Sequence, residues 1–193
     1  MSETADPTAY AARANAFTGR RTYRLTEDAL TWEEEGKKLD GVFYDEIAEV
    51  RVGFTPTRVA TNRYRTQVIF RAGGMAEFFN TDYRGIANLA EQNAAYAAFV
   101  RELHRRLAEK GKDVGYRTGN SRIGYVLNIA VTVFIFAMVA LAFLLLGTFE
   151  FVWIAAVKLA IILFFIPVLL RYIRRARPGT YAPLAVPAKA MPE

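Results

Sequence analysis

Along the first half of the chain, apolar and polar positions alternate with a period of two. Tyr23 with Leu25, Leu30 with Trp32, and Leu39 with Gly41 and Phe43 fall on one side of short, mostly polar segments. Ala48, Val50, Val52 and Phe54 share a further face, with Glu49 and Arg51 opposite. Tyr64, Thr66, Val68 and Phe70 share another, against Arg65, Gln67 and Arg71. Alternation of this kind predicts half-buried strands of an antiparallel sheet. Thr26-Glu27-Asp28 and Gly36 mark turns, and 55–63, broken by Pro56, reads as a loop. Ala72-Gly73-Gly74 fits a tight hairpin, because glycine reaches the positive φ such turns need. A strand is expected over 75–80 and a loop over 81–85. The period then becomes helical. Tyr96, Phe99, Val100, Leu103 and Leu107 form one stripe, with Arg101, Glu102, Arg105, Arg106 and Glu109 opposite, and Gly111 is expected to end the helix as a left-handed cap. Residues 1–18 are small and alanine-rich, and predict a flexible tail with at most a weak helix near 9–17. They lack the apolar stretch of a secretory signal.

The periodicity stops in two almost wholly apolar runs, 123–147 and 149–170. Each matches the roughly 20 helical residues that cross a bilayer, and the short link around Glu150 predicts an antiparallel transmembrane hairpin. Arg117 and Arg122 precede it, and Arg171, Arg174, Arg175 and Arg177 follow it, as juxtamembrane anchors. Basic residues stay on the cytoplasmic side, so the expected location is a bacterial inner (plasma) membrane, multi-pass, with both termini cytoplasmic. The expected division is a tail at 1–19, a cytoplasmic domain at 20–112, a linker at 113–122, membrane helices at 123–147 and 148–170, and a basic, proline-rich tail at 171–193. Pro178, Pro183, Pro187 and Pro192 exclude a regular helix from that tail. An extended strap with Tyr181 and Leu184 as anchors and plain disorder are equally compatible with it.

Charge adds to this picture. Of the net +6 of this 193-residue chain, residues 1–122 carry 19 bases against 17 acids, so most of the excess lies at and beyond the apolar runs. That distribution argues for anionic lipid surfaces as contacts and against nucleic acid. With no cysteine, thiolate metal sites, disulfides and cysteine nucleophiles are excluded.

Six or seven strands followed by one amphipathic helix suggest a curled sheet whose open end the helix covers. The stretch Leu-Thr-Glu-Asp-Ala-Leu-Thr-Trp from Leu25, a glycine turn, and Phe-Tyr-Asp-Glu-Ile-Ala-Glu-Val-Arg-Val from Phe43 carry a more specific likeness. They resemble the bacterial domains of the pleckstrin-homology superfold, and Phe99-Val100-Arg101-Glu102-Leu103-His104 is similar to their closing helix. The likeness covers roughly 20–110. It implies an α+β fold: a PH-like curled antiparallel sheet or barrel closed by one C-terminal helix, here followed by the transmembrane hairpin. It implies no activity.

The candidate surface for a lipid or partner is the acid-free basic stretch of Arg51, Arg58, Arg63, Arg65 and Arg71, since arginine forks match phosphate geometry. Glu33, Glu34 and Glu35, with Asp40, Asp45, Glu46 and Glu49, read as a solvated acidic face. Asn128, Thr132 and Lys158 are polar positions within the apolar runs, suited to contacts between helices or, for Lys158, to snorkelling. The single histidine, His104, has no companion ligand and reads as a surface or cap contact. No catalytic residue, metal site or cofactor site is expected. The expected function is a membrane-anchored, non-enzymatic binding or scaffold protein with a protein partner or a homodimer mate. An accessory subunit of a transport complex and an anionic-lipid surface sensor are the alternatives.

Overall fold

The computed structural model describes residues 6–57, 59–86, 88–119, 122–145 and 178–192. They divide into two compact units, one of 1–119 with 179–193 and one of 120–178.

In the first unit, β1 (Ala9–Ala12), β2 (Arg21–Leu25), β3 (Ala29–Glu34) and β4 (Asp40–Phe43) form an antiparallel sheet in chain order. Leu25 opposes Leu30, and Leu30 opposes Val42, so one face of the sheet is apolar and buried. A 3-10 turn, Tyr44–Glu46, leads into β5 (Ile47–Phe54), which pairs with β6 (Tyr64–Phe70), itself paired with β7 (Met75–Phe79). A register shift between Ile47 and Glu49 brings Ile47 to the same buried side as Val50 and Val52. The β6–β7 turn holds Gly73 at φ +90° and Gly74 at φ +89°, backbone that a side chain would strain. β8 (Thr81–Gly85) and β9 (Asn88–Glu91) form a separate ribbon ahead of α1 (Asn93–Lys110).

All five residues of the expected helical stripe, Tyr96, Phe99, Val100, Leu103 and Leu107, are buried. Gly111 does end α1, but at φ −76°. Its reason is room, because a Cβ there would stand 2.6 Å from the Leu107 carbonyl oxygen and 2.7 Å from Val114 Cγ2.

The sheet does not close into a barrel. β10 (Gly115–Thr118) runs parallel to β5 and occupies its second edge, and among the described residues β4 pairs only with β3. The second sheet is therefore mixed, in the order β11-β10-β5-β6-β7, with β11 (Gly179–Thr180) added by the C-terminal segment. The expected curled sheet or barrel is corrected to two sheets and a ribbon around a shared core. Rings join its parts. Phe78 of β7 lies 5.0 Å from Tyr23, 6.1 Å from Tyr10, 5.9 Å from Tyr96 and 5.4 Å from Phe99, centroid to centroid.

Asn80 ties the ribbon to this core. It is fully buried, and its Oδ1 accepts the Tyr64 N–H at 2.7 Å while Nδ2 donates to the Asn62 carbonyl at 3.0 Å and to Asn93 Oδ1 at 2.6 Å. Asn80→Ala leaves these groups unpaired and should cost about 3 kcal/mol in urea unfolding. Asn80→Asp should cost at least as much, since it turns an acceptor toward two oxygens. A loss under about 1 kcal/mol in both would show that water replaces the amide.

The tail 178–192 docks as a strap. β11 pairs with β10, and Ala190 and Met191 are buried in the core. Of the two expected anchors, Tyr181 packs against the core, while Leu184 is 74% exposed.

In the second unit, α2 (Arg122–Leu145) is the described element. No helix among the described residues is long and apolar enough to cross a membrane. The second run, 149–170, lies outside the described residues. The expectation of a transmembrane hairpin, and with it of a multi-pass inner-membrane protein with cytoplasmic termini, is corrected on this finding.

Candidate functional site

The loop between β1 and β2 folds back on itself. Arg13 Nε donates to the Thr18 carbonyl at 2.7 Å, and Asn15 Oδ1 accepts the N–H groups of Phe17 and Thr18. This makes a compact wall from residues that carry little apolar signal. Opposite it runs the outer edge of β7, which pairs with β6 on its other side. The Tyr10 hydroxyl donates to the Phe79 carbonyl at 2.5 Å, and that of Tyr23 to the Glu77 carbonyl at 2.6 Å. Those carbonyls therefore point away from β6, and the N–H groups of the same residues do too, as alternation along a strand requires. Burial raises the pKa of both tyrosines, so they remain donors.

Between wall and edge lies a cavity of about 320 Å³, with Thr18, Arg21, Arg63, Glu77 and Phe79 among its lining residues. Arg63 stands out there. Its guanidinium lies 3.8 Å above the Phe79 ring and donates through Nη2 to the Ala14 carbonyl at 3.2 Å. Its Nε is buried with no partner, as is Thr18 Oγ1. Burial lowers its pKa, yet a guanidinium stays charged at any ordinary pH. Arg21, by contrast, is committed to Glu34 at 2.6 Å.

The basic stretch named from the sequence is not brought together as one patch. Arg51 is paired with Glu49 at 2.5 Å and Arg65 with Glu77 at 3.3 Å. Arg71 donates to the carbonyls of Asp45, Lys112 and Asp113. Arg58 lies outside the described residues. Arg63, like Arg71, has no ion pair among the described residues, and it is the member of the stretch that lines the cavity. Of the expected anchors, Arg117 pairs with Glu49 at 3.3 Å. Arg122 begins α2, and its side chain and that of Asn128 are not described, while Thr132 is half-buried on the same helix. Lys158, Arg171, Arg174, Arg175 and Arg177 lie outside the described residues.

Two readings of single residues change. Glu34 is not solvated but 6% exposed, bound by Arg21 and by Lys37 at 2.7 Å, which hold its carboxyl down to about 2. His104 is 1% exposed. Its Nδ1 meets the Val100 carbonyl at 2.7 Å and its Nε2 the Tyr181 hydroxyl at 2.8 Å. A carbonyl only accepts, so Nδ1 carries the proton and Nε2 accepts from Tyr181. Its place four residues after Val100 and three before Leu107 puts it on the buried stripe, a signal present in the spacing. No group of three or more His, Asp or Glu side chains among the described residues could hold a metal ion.

Compared with known proteins, the chain matches no family model and no curated protein. The likeness to the bacterial pleckstrin-homology-like domains is corrected accordingly. It rested on short strand motifs that any sheet of this patterning can carry, and neither a family match nor a closed barrel stands behind it.

Proposed function

We propose that this chain is a non-enzymatic binding module that takes an extended segment of a protein partner along the outer edge of β7. The observation that supports the reading is that edge itself: one strand side lined by a cavity, with the N–H groups of Glu77 and Phe79 directed away from β6. An added strand would receive those two N–H groups, and each tyrosine-bound carbonyl keeps a second lone pair for it. Phe17, 99% exposed on the facing wall, offers an apolar contact of the kind interfaces bury.

Random decapeptides displayed and selected on the intact chain test this. Selected peptides should slow hydrogen exchange at the Glu77 and Phe79 amides while leaving the exposed β4 edge unchanged. Selected peptides that leave those two amides exchanging at their free rate overturn the reading, as does a selection that enriches nothing.

A further inference from the structure

We infer that the segment bound at the β7 edge carries a carboxylate, and that Arg63 receives it. This rests on the edge-binding reading and adds the chemistry of its ligand. Arg63 is a cation without an ion pair among the described residues, on the wall of a cavity of about 320 Å³, and one of its donors, Nη2, is bonded to a carbonyl. The Phe79 ring below it at 3.8 Å holds the guanidinium plane in position. Nε and the neighbouring Thr18 Oγ1 are already stripped of water without a partner in exchange.

A guanidinium fork with free donors matches two carboxylate oxygens in one plane. The competing acids are occupied. Glu77 is held by Arg65 at 3.3 Å and by Gln67 Nε2 at 2.9 Å, and Glu34 by Arg21 and Lys37. Arg63 feels the Glu77 charge at a distance but forms no ion pair with it, so its guanidinium has no carboxylate of its own among the described residues. A residue of the added strand beside Phe79 would bring its side chain within reach of this fork.

The carboxylate could be an Asp or Glu side chain or the end of the partner's chain. Selected decapeptides are therefore synthesised in pairs, Glu against Gln or Asp against Asn at each acidic position, and with free or amidated C-termini. Their dissociation constants are measured on the intact chain and on Arg63→Gln. On the natural chain, neutralising the responsible group should weaken binding roughly ten- to hundredfold, the scale of a charge-assisted hydrogen bond. On Arg63→Gln the same change should have almost no effect. The effect at an internal position identifies a side chain, and the effect of amidation identifies a chain terminus. Because the peptide pairs are compared on the unaltered chain, a variant that fails to fold leaves this arm standing. Peptides that protect the β7 amides without any preference for an acid overturn the inference while the edge reading holds. An acid preference that persists unchanged in Arg63→Gln overturns it too. Selection of nothing at all removes the edge reading instead.

Discussion

Phe78→Ala will destabilise the first unit by about 3–5 kcal/mol, the range for deleting a fully buried phenylalanine. Phe78 is 2% exposed, and its ring meets Tyr10 and Tyr23 from one sheet and Tyr96 and Phe99 from the helix. No barrel closes these elements by hydrogen bonds around a ring of strands, so the aromatic cluster carries the joint between them. Aromatic pairs add about 0.5–1.5 kcal/mol each beyond the area they bury, which places this substitution toward the upper end. Urea unfolding should show a lower midpoint with an unchanged slope. Amides of β2 and of β6 should lose exchange protection together, because one ring serves both sheets. Phe43→Ala is the internal comparison: with the residue 59% exposed, its effect should stay within about 0.5 kcal/mol. Equal losses in the two variants, or lost protection confined to one sheet, would contradict this account of the core.

Acidification will weaken the fold well before its carboxylates titrate. Burial lowers the His104 pKa to about 4 from an ordinary value of 6.5, because the imidazole sits among Leu103, Leu107 and the rings of Tyr116 and Tyr181. The unfolded chain therefore binds a proton that the folded one refuses between those two values. Stability from this residue is complete above about pH 6.5, falls as the pH drops through that window, and is exhausted below about 4. The shift corresponds to about 3 kcal/mol in all. Glu34 and Glu102, both held down to about 2, act in the same direction, but below the ordinary carboxylate value of 4.5. The interval between pH 6.5 and 4.5 thus isolates the histidine. Stability measured by urea at steps across it should decline steadily in the natural chain and stay level in His104→Gln. A level profile in the natural chain would mean that the ring is protonated in the folded state.

His104 lies on a stripe that helical spacing already marks, whereas other parts of the fold leave less trace in the sequence. Strands β2, β3, β5, β6 and β7 and the helix α1 follow period patterns in the sequence, although in β5 and β6 the polar side is covered too, with Gln67 buried and Glu49 and Arg51 paired with each other. β1 does not. Its residues are Ala-Tyr-Ala-Ala, and only Tyr10 gives a sign of burial. β8 was expected as a loop because its buried members are Thr81 and Asp82, polar groups whose place in the interior depends on partners far along the chain. Asp82 receives the Arg13 N–H at 2.9 Å and Arg20 at 3.1 Å, contacts that no local pattern encodes. β10 is parallel to β5, and a parallel neighbour leaves no hairpin signal between the two strands. For the site, composition drew attention to five arginines. Only the fold distinguishes Arg63, because its distinction is its place on the cavity wall with a buried Nε left unpartnered. The wall facing it, built from Asn15 and Thr18, gave no sequence signal beyond the short polar residues that favour turns.

The pairing of Thr118 with Gly179 has a consequence for the order in which the molecule is completed. Some sixty residues separate two neighbouring strands of one sheet, so the ribosome delivers β11 and the strap well after the β10 edge and the core they touch. At about 5–20 residues per second, roughly three to twelve seconds separate the two. During that interval the nascent domain holds His104 without the Tyr181 hydroxyl, β10 with a bare edge, and a core still missing Ala190 and Met191. Maturation of the first unit is therefore tied to synthesis of the second, and its final closure is a late event in the life of the chain.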